Sequence, residues 1–202
     1  MITVGGVRGA FSLLPAHFPD VGDGRWQRTD RSRRRYRGGM ATMFWRSIDS
    51  PLGPLTLAGS TDELRYLEME GQTHPAVDRE HWVHDGRAFG DAVVQLGEYF
   101  AGDRTTFDLD VELSGTDFQR EIWAALAAIP YGETRSYAEL ARAVGRPKAF
   151  RAAGTANGHN PVAIIVPCHR VIATGGGLGG YGGGLDRKAQ LLDLERTVAT
   201  GR

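Results

Sequence analysis

The most informative stretch of this chain reads Asn160-Pro161-Val162-Ala163-Ile164-Ile165-Val166-Pro167-Cys168-His169-Arg170-Val171. Its apolar part predicts a buried strand, which Pro167 ends just before the single cysteine of the protein. His169 and Arg170 follow that cysteine directly, and positive neighbours favour the thiolate, which is the nucleophilic form. We therefore predict a reactive thiol at the mouth of a core strand. A buried structural thiol is the alternative, because free cysteines are among the most buried residues.

The composition indicates an ordinary globular protein. The chain has 202 residues, of which 41% are hydrophobic and 24% are charged, so it suits one compact domain or two small ones. Because the formal net charge is +0, any contact with nucleic acid requires a local basic face. One cysteine excludes an internal disulfide framework and a cysteine zinc cage, and it favours a reducing cytoplasm. No apolar run is long enough to cross a bilayer, so no membrane partner is expected.

Residues 1–40 differ from the rest of the chain. They are rich in Gly and Arg, end in an arginine cluster at residues 31–37, and show no helical or strand period. A disordered leader, or extra residues before a true start at Met40 or Met43, is expected, because such a composition buries too little apolar surface to offset the entropy of ordering. A basic arm that touches phosphates is the alternative. The remaining domains are expected at residues 41–112 and 113–198.

The first of these domains has the pattern of a small α/β unit. Phe44–Ile48, Leu55–Ala58 and Leu64–Met69 predict short strands, because Gly-, Pro- and Ser-containing turns separate them. An apolar stripe at helical spacing predicts a helix over residues 88–101. Alternation over Phe107–Val111 predicts one further strand.

The second domain is mostly helical. Two capping-box pairs, Thr116 with Gln119 and Ser136 with Glu139, predict helices over Asp117–Ile129 and Tyr137–Val144. A Gly-containing turn then leads into a predicted helix over Pro147–Asn157, with the proline at its first position. A final helix is expected from Leu185 to about Glu195.

The two middle helices of this domain have the signature of a helix-turn-helix. The second of them carries Lys148, Arg151 and several small residues, which would let it approach a DNA duplex closely while supplying positive charge. A plain helical hairpin with solvated basic residues is the alternative.

A glycine-rich loop spans residues 175–184. Gly177, Gly179 and Gly182 match the G-x-G-x-x-G pattern, but a dinucleotide site also needs a second parallel strand and a later acidic residue, for which the remaining chain is too short. We interpret the loop as a flexible wall that closes over a ligand, with Tyr181 projecting from it.

The thiol needs a base, and the base needs an orienting group. His169 is the candidate base, and Glu195 on the last helix is the candidate orienting acid. The side-chain amide of Asn160 is expected to tie the active-site turn together. The six histidines show no metal-ligand spacing, so no metal site is expected.

Taken together, Asn160-Pro161 and Pro167-Cys168-His169-Arg170-Val171 resemble the active-site signature of the O6-alkylguanine-DNA alkyltransferases. The resemblance covers residues 43 to about 196, and it includes residues 115–119, 129–134, 136–137 and 181–185. It implies a ribonuclease-H-like N-terminal domain and a winged-helix-like C-terminal domain whose helix-turn-helix enters the minor groove. The implied reaction is direct-reversal repair of O6-alkylguanine, with O4-alkylthymine left open as a substrate. The damaged base is flipped out of double-stranded DNA, and no cofactor is expected because the lesion supplies the alkyl group.

The resemblance also implies a role for individual residues. Cys168 matches the alkyl acceptor, His169 the residue that deprotonates it through a water, and Glu195 the acid that orients the histidine. Asn160 matches the amide that braces the turn. The residues expected to contact DNA or the flipped base are Tyr137, Arg151, Tyr181, Val171 and Arg170. Gly182 departs from members that carry a serine near O6.

Three other functions stay open at this point. A cysteine hydrolase would use the same Cys-His-Glu logic in repeated turnover. A transcription regulator would explain the helix-turn-helix but not the thiol. An alkyltransferase-like damage sensor would bind lesions without repairing them, although such proteins lack the reactive cysteine. A cytoplasmic monomer is expected, with cooperative assembly on DNA left open.

Overall fold

The computed structural model describes the backbone of Thr3–Val4 together with residues 42–61 and 63–201. Most of the predicted disordered leader, residues 1–40, therefore lies outside the described residues. Its one described segment, Thr3–Val4, is a short strand, β1, that pairs in parallel with Asp110–Val111.

The N-terminal unit is built on a six-stranded sheet. The three strands predicted first are confirmed as β2 (Phe44–Ile48), β3 (Leu55–Gly59) and β4 (Leu64–Met69), which pair antiparallel in sequence order. Two further strands, β5 (Val83–His84) and β6 (Asp110–Val111), add in parallel to β2 and β4. The strand order is β1-β6-β4-β3-β2-β5.

Helix α1 (Gly90–Ala101) lies close to its predicted position and buries Leu96 and Tyr99 completely. The strand predicted over Phe107–Val111 is shorter than expected, because only its last two residues join the ladder. Gln95 of α1 explains this: its Oε1 accepts from the Asp108 backbone N (2.8 Å) and its Nε2 donates to the Asp108 carbonyl (2.9 Å). These backbone groups are thus satisfied by a side chain, and pairing begins after them.

The C-terminal unit holds four helices, α2 (Asp117–Ala127), α3 (Tyr137–Ala143), α4 (Phe150–Gly158) and α5 (Leu185–Ala199). Both predicted capping boxes are formed, at Thr116 and at Ser136. Strand β7 (Arg135–Ser136) lies between α2 and α3 in the chain, and β8 (Val171–Ile172) follows α4. The two strands pair in parallel and form a separate two-stranded sheet.

The turn between α3 and α4 differs from its prediction in one respect. Pro147 is not the first residue of α4, which begins at Phe150. Gly145, with φ of 71°, ends α3, and the Ala149 backbone N then donates to the Arg146 carbonyl (2.8 Å). Proline is favoured at the second position of such a β-turn, so Pro147 shapes the turn rather than the helix.

The apolar run before the cysteine is not a strand, contrary to its prediction. Val162 makes a single parallel bridge with Leu67 of β4, and the following residues turn immediately, with Ile164 at φ of 71°. The Val166 backbone N donates back to the Val162 carbonyl (3.0 Å), which closes the turn. Residues 162–166 are buried, with no residue more than 8% exposed, because they lie at the junction of the two units. Burial removes apolar side chains from water equally well in a strand and in a turn, so an apolar run does not distinguish the two. Within the part of the chain that the structure describes, no helix is long and apolar enough to cross a membrane.

Candidate active site

A cavity of about 360 Å³ opens at the junction of the two units. Cys168 and Asn160 line it, and Tyr137 and Gly154 bring α3 and α4 to its wall. The glycine-rich loop over residues 175–184 is called the lid loop below. It contributes Tyr181 and three glycines, Gly180, Gly182 and Gly183, to the cavity wall. The N-terminal unit contributes its own wall, made by Met69, Gln72, Thr73 and His74.

Cys168 begins a single 3-10 turn, Cys168–Arg170, that follows the apolar residues 161–166, called the apolar plug below. The residue is only 6% exposed although it lines the cavity. Burial raises the pKa of the thiol, and this effect outweighs a hydrogen bond from Asn160 and the positive charge of Lys188. The expectation that positive neighbours hold a thiolate is therefore wrong for the free protein, and a base is needed to remove the proton.

His169 lies beside the thiol in the chain and is completely buried. Its Nε2 is 2.8 Å from Oε1 of Glu195. Although burial alone would raise the pKa of Glu195, hydrogen bonds and charges from His169 and Arg170 lower it to about 2. Glu195 is therefore an acceptor at neutral pH, and Nε2 must carry the proton of this contact.

This assignment fixes the state of the other ring nitrogen. Burial lowers the pKa of His169 below its ordinary value of 6.5, and the carboxylate of Glu195 opposes that shift only in part. The ring is therefore neutral at neutral pH, with a free lone pair on Nδ1. Among the described residues, Nδ1 has no hydrogen-bond partner although it is buried, so it is available to accept a proton.

Glu195 is the centre of a larger buried network. Arg170 donates to both of its oxygens from Nε (2.8 Å) and Nη2 (2.9 Å), and its Nη1 donates to the Ile129 carbonyl (2.6 Å). The hydroxyl of Tyr99, from α1 of the N-terminal unit, donates to Oε1 at 2.8 Å. The Gly132 backbone N donates to Oε2 at 3.2 Å. The carboxylate is thus held rigidly in the orientation that His169 requires.

Arg170 was predicted among the DNA-contacting residues, but its side chain turns into the protein toward Glu195. Only 6% of the residue is exposed. The geometry instead fits a residue that stabilises the carboxylate from inside the fold.

Asn160 bridges the turn that carries the plug. Its Nδ2 donates to the Val166 carbonyl (2.7 Å), and its Oδ1 accepts from the Val162 backbone N (3.1 Å). Both bonds are buried, and they span the segment in which Ile164 holds a positive φ. A left-handed isoleucine is costly, so the amide offsets local strain at the point where the chain delivers the thiol.

Lys188 of α5 is a buried cation that the sequence did not predict. Its Nζ donates to the carbonyls of Val171 (2.5 Å), Leu178 (2.5 Å) and Gly180 (3.2 Å). Burial lowers its pKa to about 8, and the nearby Cys168 opposes the shift. The ammonium thereby attaches the lid loop to the floor of the site and adds positive potential at the thiol. Val171 was predicted to contact the flipped base, and its carbonyl accepts a hydrogen bond from Lys188.

Three residues predicted to contact DNA or the base lie on α3, on α4 and on the lid loop. Tyr137 is the first residue of α3, and its hydroxyl donates to the Gly180 carbonyl of the lid loop (3.3 Å). Gly179 must be a glycine, since its φ is 67° and an added Cβ would lie 3.0 Å from the Tyr137 ring. Arg151 is exposed in the first turn of α4, with its guanidinium carbon 5.7 Å from the Phe150 ring centroid. The hydroxyl of Tyr181 faces the sulfur of Met69 at 3.9 Å.

Of the residues predicted from the sequence, the fold brings Cys168, Asn160, Tyr137 and Tyr181 to the cavity and His169 to Glu195. The sequence analysis did not predict the residues that the N-terminal unit contributes. Tyr99 and the segment Gln72–His74 reach the site from the far half of the chain. Neither had a local signal, because Tyr99 belongs to an ordinary apolar stripe and residues 72–74 belong to a polar loop.

Comparison with known proteins matches both halves of the chain. The ribonuclease-like domain of 6-O-methylguanine DNA methyltransferase matches residues 43–113, and the DNA-binding domain of the same name matches residues 117–197. The methylated-DNA–protein-cysteine methyltransferase of Mycobacterium tuberculosis is 58% identical over 157 residues, which cover 78% of this chain and 94% of that protein. Its Mycobacterium leprae counterpart is 56% identical over 151 residues, covering 75% and 91%.

Solved structures agree with this relation. The crystal structure of Mycobacterium tuberculosis OGT in complex with DNA superposes with a TM-score of 0.74 at 57% identity. The match covers 77% of this chain and 94% of that one. The fold predicted from the sequence, a small ribonuclease-like α/β domain followed by a helical DNA-binding domain, is therefore confirmed.

Proposed function

The chain belongs to the 6-O-methylguanine DNA methyltransferase family, and from that premise we propose that it repairs O6-alkylguanine in double-stranded DNA by moving the alkyl group onto Cys168. We assign Cys168 as the acceptor because it lines a cavity bordered by the helix-turn-helix and is followed in the chain by the buried His169–Glu195 pair. The protein is a DNA-repair methyltransferase, and DNA is its partner.

Base flipping is required because O6 of guanine lies inside the duplex, where no protein sulfur can line up behind the alkyl carbon. Unstacking costs a few kcal/mol, and less for a badly paired lesion. Arg151, exposed on α4, is positioned to fill the vacated space and so offset part of this cost. Gly154 and the ring of Tyr137 then leave room for the extruded nucleotide along the cavity wall.

Proton transfer precedes displacement. The lone pair on Nδ1 of His169 takes the thiol proton, with a water as the relay that the family resemblance implies. Glu195 stabilises the imidazolium that results, since its carboxylate stays ionised. Positive potential from Lys188 further stabilises the thiolate.

The alkyl group then moves in one displacement. A sulfur–carbon bond forms as the bond between that carbon and O6 breaks, and the bonding electrons go to guanine. Guanine then takes up one proton from solvent, and the imidazolium of His169 returns to solvent the proton that it took from the thiol. The hydroxyl of Tyr137 can donate to the developing charge. The product is a thioether that water does not hydrolyse, so each molecule reacts once.

The alternative functions are not favoured. Relatives that match nearly their whole length are named as methyltransferases, not hydrolases or regulators. A damage sensor without transfer would have no use for a thiol served by a base and an orienting acid. Because Cys168 must stay a free thiol, we further propose that the protein acts in a reducing compartment, the cytoplasm. We also propose that it acts as a monomer.

Mapping of the transferred group tests the proposal. Wild-type protein is incubated with a duplex that contains one O6-methylguanine, and peptide mass spectrometry then locates any added methyl group. Transfer to Cys168 with loss of the lesion is expected. Intact lesion beside unmodified, folded protein would reject the proposal.

Two variants separate binding from chemistry in the same assay. Cys168→Ala should abolish transfer yet keep lesion binding, because the base-binding walls remain. Arg151→Ala should weaken both binding and transfer, since it acts before the chemical step.

A further inference from the structure

We propose that a loop of the N-terminal domain, residues 70–76, sets the size of the alkyl group that the site accepts, with His74 as the specificity-determining residue. This segment, called the β4 loop below, connects β4 to the 3-10 turn Arg79–His81. The inference rests on the proposed function and goes beyond it, because it assigns substrate selection to the domain that carries none of the reacting groups.

The β4 loop forms part of the cavity wall. Gln72, Thr73 and His74 line the cavity that also holds Cys168, and Met69 precedes them at the end of β4. The flipped base must approach along Tyr137 and α4, so the remaining space around the alkyl group is bounded partly by this loop. A group larger than methyl has to fit against it.

Two contacts fasten the β4 loop to the C-terminal domain. Thr73 donates to the Gly182 carbonyl of the lid loop from its backbone N (2.9 Å) and from its hydroxyl (3.3 Å). The ring of His74 stacks on the ring of His159, with centroids 4.1 Å apart and planes inclined by 16°. His159 caps the end of α4, and its Nδ1 lies 2.8 Å from the Thr155 carbonyl. The β4 loop thus contacts both the lid loop and the end of α4.

A buried carboxylate makes the β4 loop rigid from behind. Glu68 is 2% exposed, and its Oε1 accepts from the Ala76 backbone N (2.5 Å) and from Nε2 of Gln72 (3.2 Å). Its Oε2 forms an ion pair with Arg79. Gln72 also accepts from the Met69 backbone N (3.1 Å) and donates to the His74 carbonyl (3.1 Å). Gln72 near the start of the β4 loop and Ala76 at its end are therefore both hydrogen-bonded to the carboxylate of Glu68.

A wall held in this way cannot yield freely to a bulky substituent. In a hydrophobic pocket one extra methylene changes discrimination by roughly 10–200-fold, and we expect an effect at the lower end of that range against the polar β4 loop. His74 is an exposed residue of this wall, and its ring is held against the ring of His159, so we infer that its size affects how much room remains for the alkyl group. Smaller residues at position 74 should widen the cavity, and larger ones should narrow it.

The experiment compares two substrates across three variants. Second-order rate constants for transfer are measured with duplexes containing O6-methylguanine or O6-benzylguanine, using the full chain, and the benzyl-to-methyl ratio is taken. His74→Ala should raise this ratio by about tenfold, and His74→Trp should lower it by about tenfold. His81→Ala is the matched control, because His81 is a histidine of the same connection whose side chain is 74% exposed and does not line the cavity. Its ratio should equal that of the wild type.

The outcomes separate this inference from the proposed function. If the His74 variants are folded and transfer methyl, but keep the wild-type ratio, the β4 loop does not select the alkyl group and the proposed function still holds. An equal change for both substrates would also overturn the inference, because it would indicate a contact to DNA. Absence of any transfer by the wild type would overturn the proposed function and this inference with it.

Discussion

At the scale of single residues, the reactive thiol is protonated in the resting protein. Burial raises the pKa of Cys168 even though Asn160 and Lys188 oppose the shift. Under the proposed function, activation falls on Nδ1 of His169, which has no hydrogen-bond partner among the described residues because Glu195 fixes the proton on Nε2. Reactivity would then be supplied at the moment of transfer, while burial of the neutral thiol protects it from oxidants before that.

The pH dependence of transfer should follow the histidine. The pKa of His169 is lowered below 6.5 by burial, so the ring is a base above that lowered value and loses its lone pair to a proton below it. We expect the single-turnover rate constant to be level at neutral and mildly alkaline pH, and to fall as the pH drops through a midpoint below 6.5. Stopped-flow measurement with a methylated duplex at fixed ionic strength checks this.

A different profile would identify a different mechanism. If only the spontaneously ionised thiol reacted, the rate would keep rising tenfold per pH unit beyond pH 9, since the thiol pKa is raised above its ordinary value of 9.0. Such a rise would contradict general-base activation by His169.

Prediction from the sequence is easiest between chain neighbours and hardest where a contact depends on packing. Cys168 and His169 are adjacent, so the sequence alone could suggest that they act together, and this pairing remains a prediction. The inward turn of Arg170 could not, because its partner Glu195 lies 25 positions away and is reached only through the position of α5. Lys188 gave no signal either, since a lysine on a helix is ordinarily solvated.

At the scale of elements, helix starts were the best-determined features of the sequence. The capping boxes at Thr116 and Ser136 depend only on residues three apart, and both form as predicted. The apolar plug at residues 161–166 shows the opposite case. Its composition indicates burial but cannot distinguish a strand from a buried turn, and the side chain of Asn160 decides between them.

The cap of α3 should affect both stability and transfer. Ser136 Oγ accepts from the Glu139 backbone N at 3.2 Å, and the next residue is Tyr137 of the cavity wall. Ser136→Ala should lower the free energy of unfolding by about 1 kcal/mol. It should also slow transfer, because the first turn of α3 is no longer fixed and Tyr137 is less well positioned. Urea denaturation and single-turnover kinetics measure the two effects.

Thr116→Ala supplies the matched control for that variant. Thr116 caps α2 with the same geometry, since its Oγ1 accepts from the Gln119 backbone N at 3.2 Å, but it does not line the cavity. It should cost a similar stability and leave the transfer rate unchanged. Equal slowing by both substitutions would show that reduced stability, not the position of Tyr137, is responsible.

At the scale of the whole molecule, the site is a joint product of both domains. Tyr99 of α1 reaches Glu195 at 2.8 Å, Leu67 of β4 pairs with Val162 of the plug, and the β4 loop walls the cavity. These contacts lie between segments far apart in the chain, so single-sequence patterns could predict the two domains but not how they meet. The domain limits at residues 41–112 and 113–198 remain a prediction.

Alkylation should lower the stability of the whole protein. A methyl group on Cys168 adds volume at a position that is 6% exposed, beside the fixed turn that Asn160 braces. Overpacking of this kind typically costs about 1–3 kcal/mol. Differential scanning calorimetry of the protein before and after reaction with a methylated duplex, followed by removal of the DNA, should give a lower Tm for the product. An equal or higher Tm would show that the site accommodates the adduct without strain.

The central claim is that one buried sulfur, deprotonated by its neighbouring imidazole, keeps the alkyl group it removes. The most direct measurement is a titration of the protein with excess duplex carrying radiolabelled O6-methylguanine, followed by counting of methyl groups bound per chain. We predict an end point of one methyl group per molecule, all of it on Cys168, with no further lesion lost at longer times. Continued loss of lesion beyond one equivalent, or label on any other residue, would contradict the account.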